Sequence, residues 1–155
     1  MNHKYEKIDV FKELCRERGL RLTHQRLEIF SVLAEDGSHP SIEDIYNQVV
    51  PRLPMISLDT VYRTIATFEE YGLVRRVNFD GSKARFDTNL SDHHHLVCLD
   101  CQRVVDFYWP SFDRLKMPRD VAGWDGIDTR QAEIRGICPA CQAARKGKKR
   151  ARTVA

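Results

Sequence analysis

The sequence predicts an α+β chain built in two parts: a run of short helices closed by a β-hairpin, then a smaller strand-rich lobe stapled by cysteines. Apolar residues recur at helical spacing from Ile8 to Phe68, and Asp80-Gly81 then sits between two strand-like runs. Farther on, Cys98-Leu-Asp-Cys101 and Cys138-Pro-Ala-Cys141 supply two Cys-x-x-Cys units. The 155 residues, 42% of them hydrophobic, suffice for one domain or two small ones. Two small lobes would each be marginal and would gain from a zinc staple.

Ile8, Phe11, Leu14 and Cys15 fall on one face of a first helix running to about Arg18, with Gly19 as its stop. Cys15 reads as a buried apolar-face residue rather than a reactive thiol. Thr23 is a good N-cap for a second helix, with Leu27, Phe30 and Leu33 as its stripe. Gly37-Ser38-His39-Pro40 breaks that helix. Ser41 and Asp44 then fit a capping box, opening a third helix with Ile42, Ile45, Tyr46 and Val49 inward. Pro51 and Pro54 end it.

A fourth helix is expected from Ser57 to Gly72, with Leu58, Val61, Ile65 and Phe68 as its apolar stripe. Asp59, Thr60, Tyr62, Arg63, Thr64 and Thr67 are then turned outward. Leu-Val-Arg-Arg-Val-Asn-Phe and Ala-Arg-Phe-Asp flank the Asp80-Gly81 turn. Short helices followed by a hairpin describe a winged helix, a helix-turn-helix variant that lays one helix in the DNA major groove. They equally describe a small α+β domain with a polar helix face, and pattern alone divides evenly between the two.

In the second part, His-Leu-Val-Cys-Leu and Arg-Val-Val-Asp-Phe-Tyr-Trp predict two strands joined across the first cysteine pair. Ser111 to Met117 suggest a short helix cut by Pro118, and Gln131 to Ile137 a further strand. Four thiolates in two Cys-x-x-Cys units close a tetrahedral zinc site with no open position, a structural site. Thirty-six residues separate the pairs, more than the roughly 15–20 of a zinc ribbon, so they must meet across an intervening folded unit.

His93-His94-His95 is a second cluster, and strand alternation puts His93 and His95 on one face and His94 on the other. With Asp87 and Asp106 nearby they offer a mixed imidazole–carboxylate set suited to Fe(II), Mn(II) or Zn(II), and His39 is a further candidate. Such a site could activate water, making a metal-dependent hydrolase the rival class. The sequence lacks His-Glu-x-x-His, Gly-x-Ser-x-Gly, a P-loop, and a deaminase-type Glu beside the cysteines. No enzymatic activity is therefore expected.

The net charge of +3 is not a DNA signature by itself. Residues 1–80 carry 11 Lys+Arg against 13 Asp+Glu, a net of −2, whereas residues 143–155 carry six basic residues and no acidic one. The surplus lies in the tail, which reads as disordered. No apolar run approaches a membrane span or a signal-peptide core, and paired cysteines favour a reducing compartment, so the cytoplasm is the expected location.

Gly19-Leu-Arg21-Leu-Thr23-His-Gln25-Arg26, Ser57-Leu-Asp-Thr60-Val-Tyr62-Arg63, Arg85-Phe86-Asp87, Asp92-His-His-His95 and the two cysteine pairs together resemble the ferric uptake regulator family. The resemblance covers about residues 8 to 142. It implies a homodimeric metal-dependent repressor of a palindromic double-stranded DNA operator. A winged-helix DNA-binding domain (1–84), a hinge (85–91), a dimerisation and metal-binding domain (92–142) and a basic tail (143–155) would follow.

By the same resemblance, Cys98, Cys101, Cys138 and Cys141 would hold structural Zn2+. His39, Asp87, His93, His95 and Asp106 match the regulatory Fe2+ or Mn2+ site of the peroxide-sensing branch. His39 and His93 would be its oxidation-prone ligands, and Arg21, Arg26, Thr60, Tyr62 and Arg63 its DNA contacts. Iron-sensing members usually carry glutamates at the places of Asp87 and Asp106, and an aspartate where His94 stands. An iron-level sensor is the alternative within the family. A further metal site, which in many relatives uses a histidine before the last strand, looks lost at Asp128-Thr-Arg-Gln131. The basic tail is extra, and would add salt-dependent, sequence-independent affinity for DNA.

Overall fold

The computed structural model describes residues 3–145, except 36, 38, 79–82, 122 and 128. The chain divides into two units, Met1–Leu90 and Ser91–Ala155.

The first unit contains α1 (His3–Glu17), α2 (His24–Glu35), α3 (Ile42–Val49), α4 (Leu58–Glu70), β1 (Arg75–Val77) and β2 (Arg85–Asp87). Its helix boundaries follow local chemistry. Gly19 (φ +71) ends α1 with Leu20 N–H donating to the Cys15 carbonyl at 2.8 Å. Gly72 (φ +63) ends α4 in the same way, with Leu73 N–H on the Phe68 carbonyl at 2.7 Å. Both are six-to-one closures that need a left-handed residue, hence glycine. Thr23 Oγ1 accepts from Arg26 N–H at 3.3 Å, and Ser41 with Asp44 forms the reciprocal capping box of α3.

These helices bury one continuous core that includes Phe11, Ile29, Leu33, Ile45, Val61, Ile65, Phe68, Leu73 and Phe86. Phe11 stacks on Phe30 with ring centroids 3.8 Å apart, and Phe68 meets both edge-on. Cys15 is buried in this core, where desolvation pushes its thiol up.

The α4 stripe differs from expectation at two positions. Thr64 is buried and Leu58 is 37% exposed. Val61, Thr64, Ile65 and Phe68 are the i, i+3, i+4, i+7 set that shares one helix face, and Leu58 lies in the first turn, one turn before that set begins to pack. Strands β1 and β2 pair antiparallel with Arg76 opposite Phe86, as a hairpin requires. The expected Asp80-Gly81 turn lies outside the described residues.

Gly72 gives a stability prediction. A Cβ there would lie 2.7 Å from Arg18 Nη1, whose guanidinium hydrogen-bonds the Tyr71 carbonyl. At Gly19 a Cβ would meet nothing within 4 Å. Gly19→Ala is expected to cost only the left-handed backbone penalty, about 1–2 kcal/mol. Gly72→Ala should cost more, because the Arg18 brace must also move. Urea unfolding followed by far-UV circular dichroism checks the order, and equal losses would remove Arg18 from the account.

The second unit is a three-stranded sheet of order β4-β3-β5, from β3 (His94–Cys98), β4 (Val104–Phe107) and β5 (Glu133–Gly136). β3 and β4 are antiparallel with His95 opposite Asp106, and β3 and β5 are parallel with His95 opposite Glu133. The expected helix from Ser111 to Met117 is only α5 (Pro110–Asp113), followed by a 3-10 turn at Arg119–Val121. Pro118 forbids a helix running on past Met117, and Arg130 donates to the carbonyls of Phe112 and Leu115, both at 2.6 Å, the former also accepting from Leu115 N–H. Among the described residues, the buried hydrophobic side chains of this unit are Val97, Cys98 and Val104.

Candidate metal centres

The sheet order brings the two cysteine pairs together. Cys98 ends β3 and Cys101 lies in the turn to β4, while β5 runs parallel to β3 and delivers Cys138 and Cys141 at the same end. Gln102 takes φ +58 to close the first turn, its N–H on the Cys98 carbonyl at 3.0 Å.

All four sulfurs lie within 4.8 Å of one another, and Cys101 Sγ is 3.9 Å from Cys138 Sγ. Zinc–sulfur bonds of about 2.3 Å in a tetrahedron give edges of about 3.8 Å. The cluster therefore fits a structural zinc ion. Backbone N–H groups of Cys101 and Cys138 aimed at Cys98 bring its thiol down to about 6. Hydrogen bonding to Cys138 and Cys101 holds the Cys141 thiol up at about 12. The hydrogen bonding thus favours the thiolate at Cys98 and the thiol at Cys141, whose proton a bound metal would displace.

The histidine–aspartate residues form two half-sites, one in each unit. In the first unit, Asp87 ends β2 and His39 occupies the loop between α2 and α3. His39 Nε2 is 3.4 Å from Asp87 Oδ2, and both residues are buried. Asp87 Oδ1 accepts from Asn89 N–H at 2.7 Å, which fixes the carboxylate.

In the second unit, His93 Nε2 and His95 Nε2 are 3.0 Å apart. Asp106 Oδ1 on β4 is 3.7 Å from the first and 3.8 Å from the second. Donors about 2.1 Å from one ion are about 3.0 Å apart at right angles and about 3.6 Å apart at 120°. Three donors therefore face one point at ligand spacing. His93 Nδ1 is 2.8 Å from the Ser91 carbonyl, which only accepts, so that nitrogen carries the proton and Nε2 presents its lone pair inward.

His94 projects to the opposite face, as strand alternation requires. Its Nδ1 accepts from Ala132 N–H at 3.1 Å and its Nε2 lies 3.1 Å from Asp113 Oδ1. Its ring packs against Phe107 and Phe112. His94 is thus a buried structural residue of the sheet–α5 contact. Nothing in the local sequence announced Asp113 or Ala132 as its partners.

The expected DNA-contacting residues lie on α2, its N-terminal approach and α4. Tyr62 and Arg63 are exposed, and Arg63 Nε pairs with Asp59 at 2.9 Å. Thr60 lies in the first turn of α4, where its N–H donates to Ser57 Oγ at 3.1 Å. Arg26 Nη1 braces the Arg21 carbonyl at 2.5 Å, leaving the Arg21 side chain exposed.

The ferric uptake regulator family matches residues 17–135. The chain is 34% identical over 128 residues to a peroxide-responsive repressor PerR of Staphylococcus epidermidis, covering 82% of this chain and 85% of that protein. It is 35% identical over 130 residues to a peroxide operon regulator of Bacillus subtilis, covering 83% and 89%. Among solved structures, a zinc-bound manganese uptake regulator superposes with TM-score 0.67 at 32% identity, over 83% of this chain and 98% of the other. The helices and hairpin, the sheet with its four-cysteine cluster, and this extent of identity make the chain a member of the ferric uptake regulator family.

Proposed function

We propose that this protein is a homodimeric, metal-dependent transcriptional repressor that senses peroxide through oxidation of a ligand histidine. The observation that carries the reading is the donor set. His39 and Asp87 with His93, His95 and Asp106 make three imidazoles and two carboxylates, and four of the five are buried. Two or three donors alone hold a divalent ion weakly, whereas five suit Fe(II) or Mn(II) and leave a position open. The similarity to a peroxide-responsive repressor and a peroxide operon regulator supports the same reading.

In this account residues 1–84 are the DNA-binding domain, 85–91 the hinge and 92–142 the dimerisation domain. One ion binding His39 and Asp87 together with the second unit's ligands would favour one arrangement of the two domains. To shift that arrangement nearly completely, the ion must prefer it by about 5.5 kcal/mol. Tyr62 and Arg63 on the exposed face of α4 would read bases, with Arg21, Arg26 and Thr60 beside them at the phosphates.

Leu96, Val105 and Ile134 lie side by side on one face of the second unit's sheet and are 41–43% exposed. An apolar row of that kind suits a second copy, and a dimer matches the two-fold symmetry of a palindrome. No described helix is long and apolar enough to cross a membrane, and a cytoplasmic repressor is the reading adopted.

Bound Fe(II) would supply the redox chemistry for oxidation of a neighbouring ring by peroxide. A histidine carbon gains one oxygen, and the other peroxide oxygen leaves as water. The protein's part is to hold the His39 and His93 rings at the ion and to lose affinity for it once one ring is altered.

The test begins with selection of a duplex from a random library by Mn(II)-loaded protein, followed by fluorescence anisotropy on the selected sequence. A palindrome is expected, bound about 100-fold more tightly with Mn(II) than without. His95→Ala should abolish that metal dependence while retaining zinc. Binding that ignores Mn(II), or turnover of a hydrolysable ester, would overturn the proposal.

A further inference from the structure

We propose that Arg85 is a positioning residue for the regulatory metal: from β2 it clamps the His39 backbone in the left-handed conformation that presents the imidazole to Asp87. The inference rests on the reading of His39 and Asp87 as metal ligands. His39 has φ +57, a region that residues with a Cβ rarely adopt, and it precedes Pro40, which disfavours helical backbone at the residue before it. Something must hold such a residue in place.

Contacts from one strand do so. Arg85 Nη1 donates to the His39 carbonyl at 3.2 Å. Arg85 also pairs with Ser41 as an isolated antiparallel bridge, and Phe86 N–H donates to the Pro40 carbonyl at 3.1 Å. His39, Pro40 and Ser41 are therefore tied to β2 residue by residue.

The same strand carries the other ligand. Arg85 and Asp87 are two apart and share a strand face, and Asp87 Oδ2 lies 3.4 Å from His39 Nε2. The register of β2 thus sets both ligands of the half-site, one by its own side chain and one through the Arg85 clamp. Because β2 is also one strand of the β1–β2 hairpin, a shift of the hairpin carries His39 and Asp87 together.

The experiment is Mn(II) titration of the zinc-loaded full chain, read by electron paramagnetic resonance. The proteins are the parent, Arg85→Met, Arg85→Lys, His39→Asn and the Arg85→Met/His39→Asn double variant. Met keeps the apolar stem and removes every donor. Arg85→Met is expected to weaken Mn(II) binding about 10- to 100-fold, as loss of a ligand-orienting partner does, with zinc content unchanged. Lys, which keeps one charged donor nitrogen, should recover part of the loss.

In the His39→Asn background, Arg85→Met should add little, because both act through one ligand. In metal-free-site, zinc-loaded protein, Arg85→Met should also speed amide hydrogen exchange at Phe86, a readout in which no regulatory metal takes part. A parent that binds no Mn(II) removes the underlying reading of the site. Parent-like affinity in Arg85→Met, or full additivity with His39→Asn, overturns the role of Arg85 alone. Should Arg85→Met misfold, Arg85→Gln replaces it, being too short to reach the carbonyl, and parent-like affinity there is equally decisive.

Discussion

Removing zinc, by chelation or by Cys98→Ser, is expected to unfold the second unit and leave the first folded. The two units differ sharply in how much apolar side chain they bury. The continuous core of Phe, Ile, Leu and Val belongs to the first unit. In the second, the described buried hydrophobic side chains are Val97, Cys98 and Val104. A lobe with so few buried side chains cannot by itself offset the conformational entropy of some fifty ordered residues.

A four-thiolate zinc ion can. Structural zinc contributes about 10–16 kcal/mol of apparent binding free energy in small domains, comparable with the whole stability of an ordinary domain. Both tryptophans, Trp109 and Trp124, lie in the second unit. Intrinsic tryptophan fluorescence therefore reports that unit alone, while helix content reports mainly the first. Cys98→Ser should shift the tryptophan emission to that of unfolded chain, with most far-UV helix signal retained.

The pH dependence has a definite sign. Zinc needs four thiolates, and the Cys141 thiol stands well above the ordinary cysteine range. Protons therefore compete with zinc as pH falls, and the second unit should become chelator-sensitive on acidification and resistant on raising the pH. Retention of the native tryptophan signal after complete zinc removal would mean that the sheet is stabilised by something other than the metal.

Much of this organisation was legible in the sequence because its determinants are local. The Ser41–Asp44 capping box, Gly19 and Gly72 as helix stops, and two Cys-x-x-Cys units each announce themselves within a few residues. The five candidate ligands were readable by resemblance, and the structure forms them as two half-sites. The misread positions are those where packing between distant residues decides. Thr64 is buried and Leu58 exposed because neighbouring elements, not the helix itself, choose which residues of α4 are covered. Helix α5 ends at Asp113, short of the expected Met117, and Arg130, 18 residues beyond Phe112, braces the Phe112 carbonyl at its end. The Arg85 clamp joins residues 46 positions apart. Arg85-Phe86-Asp87 was visible as a motif, but its contact with His39 was not.

The second large effect concerns peroxide. On the proposed reading, His39, with its ring beside Asp87, and His93, with Nδ1 tied to the Ser91 carbonyl, are the ligand rings that bound iron would expose to oxidation. Bound iron would supply the oxidising chemistry directly beside these rings. Cysteine oxidation is the competing chemistry, yet the four cluster thiols are protected when zinc-bound and Cys15 is buried with its thiol pushed up by desolvation. Peroxide in small excess should therefore modify a large fraction of iron-loaded chains on histidine, with loss of regulatory metal and release of DNA. Manganese-loaded protein should be unaffected, because Mn(II) does not drive that chemistry with peroxide.

Peptide mass spectrometry of Fe(II)-loaded and Mn(II)-loaded protein after a small excess of peroxide tests this most directly. One added oxygen on the peptide containing His39 or His93, with iron and not with manganese, is the expected result. Unmodified histidines in protein that still binds DNA in an iron-dependent way would contradict peroxide sensing and identify a sensor of iron level instead.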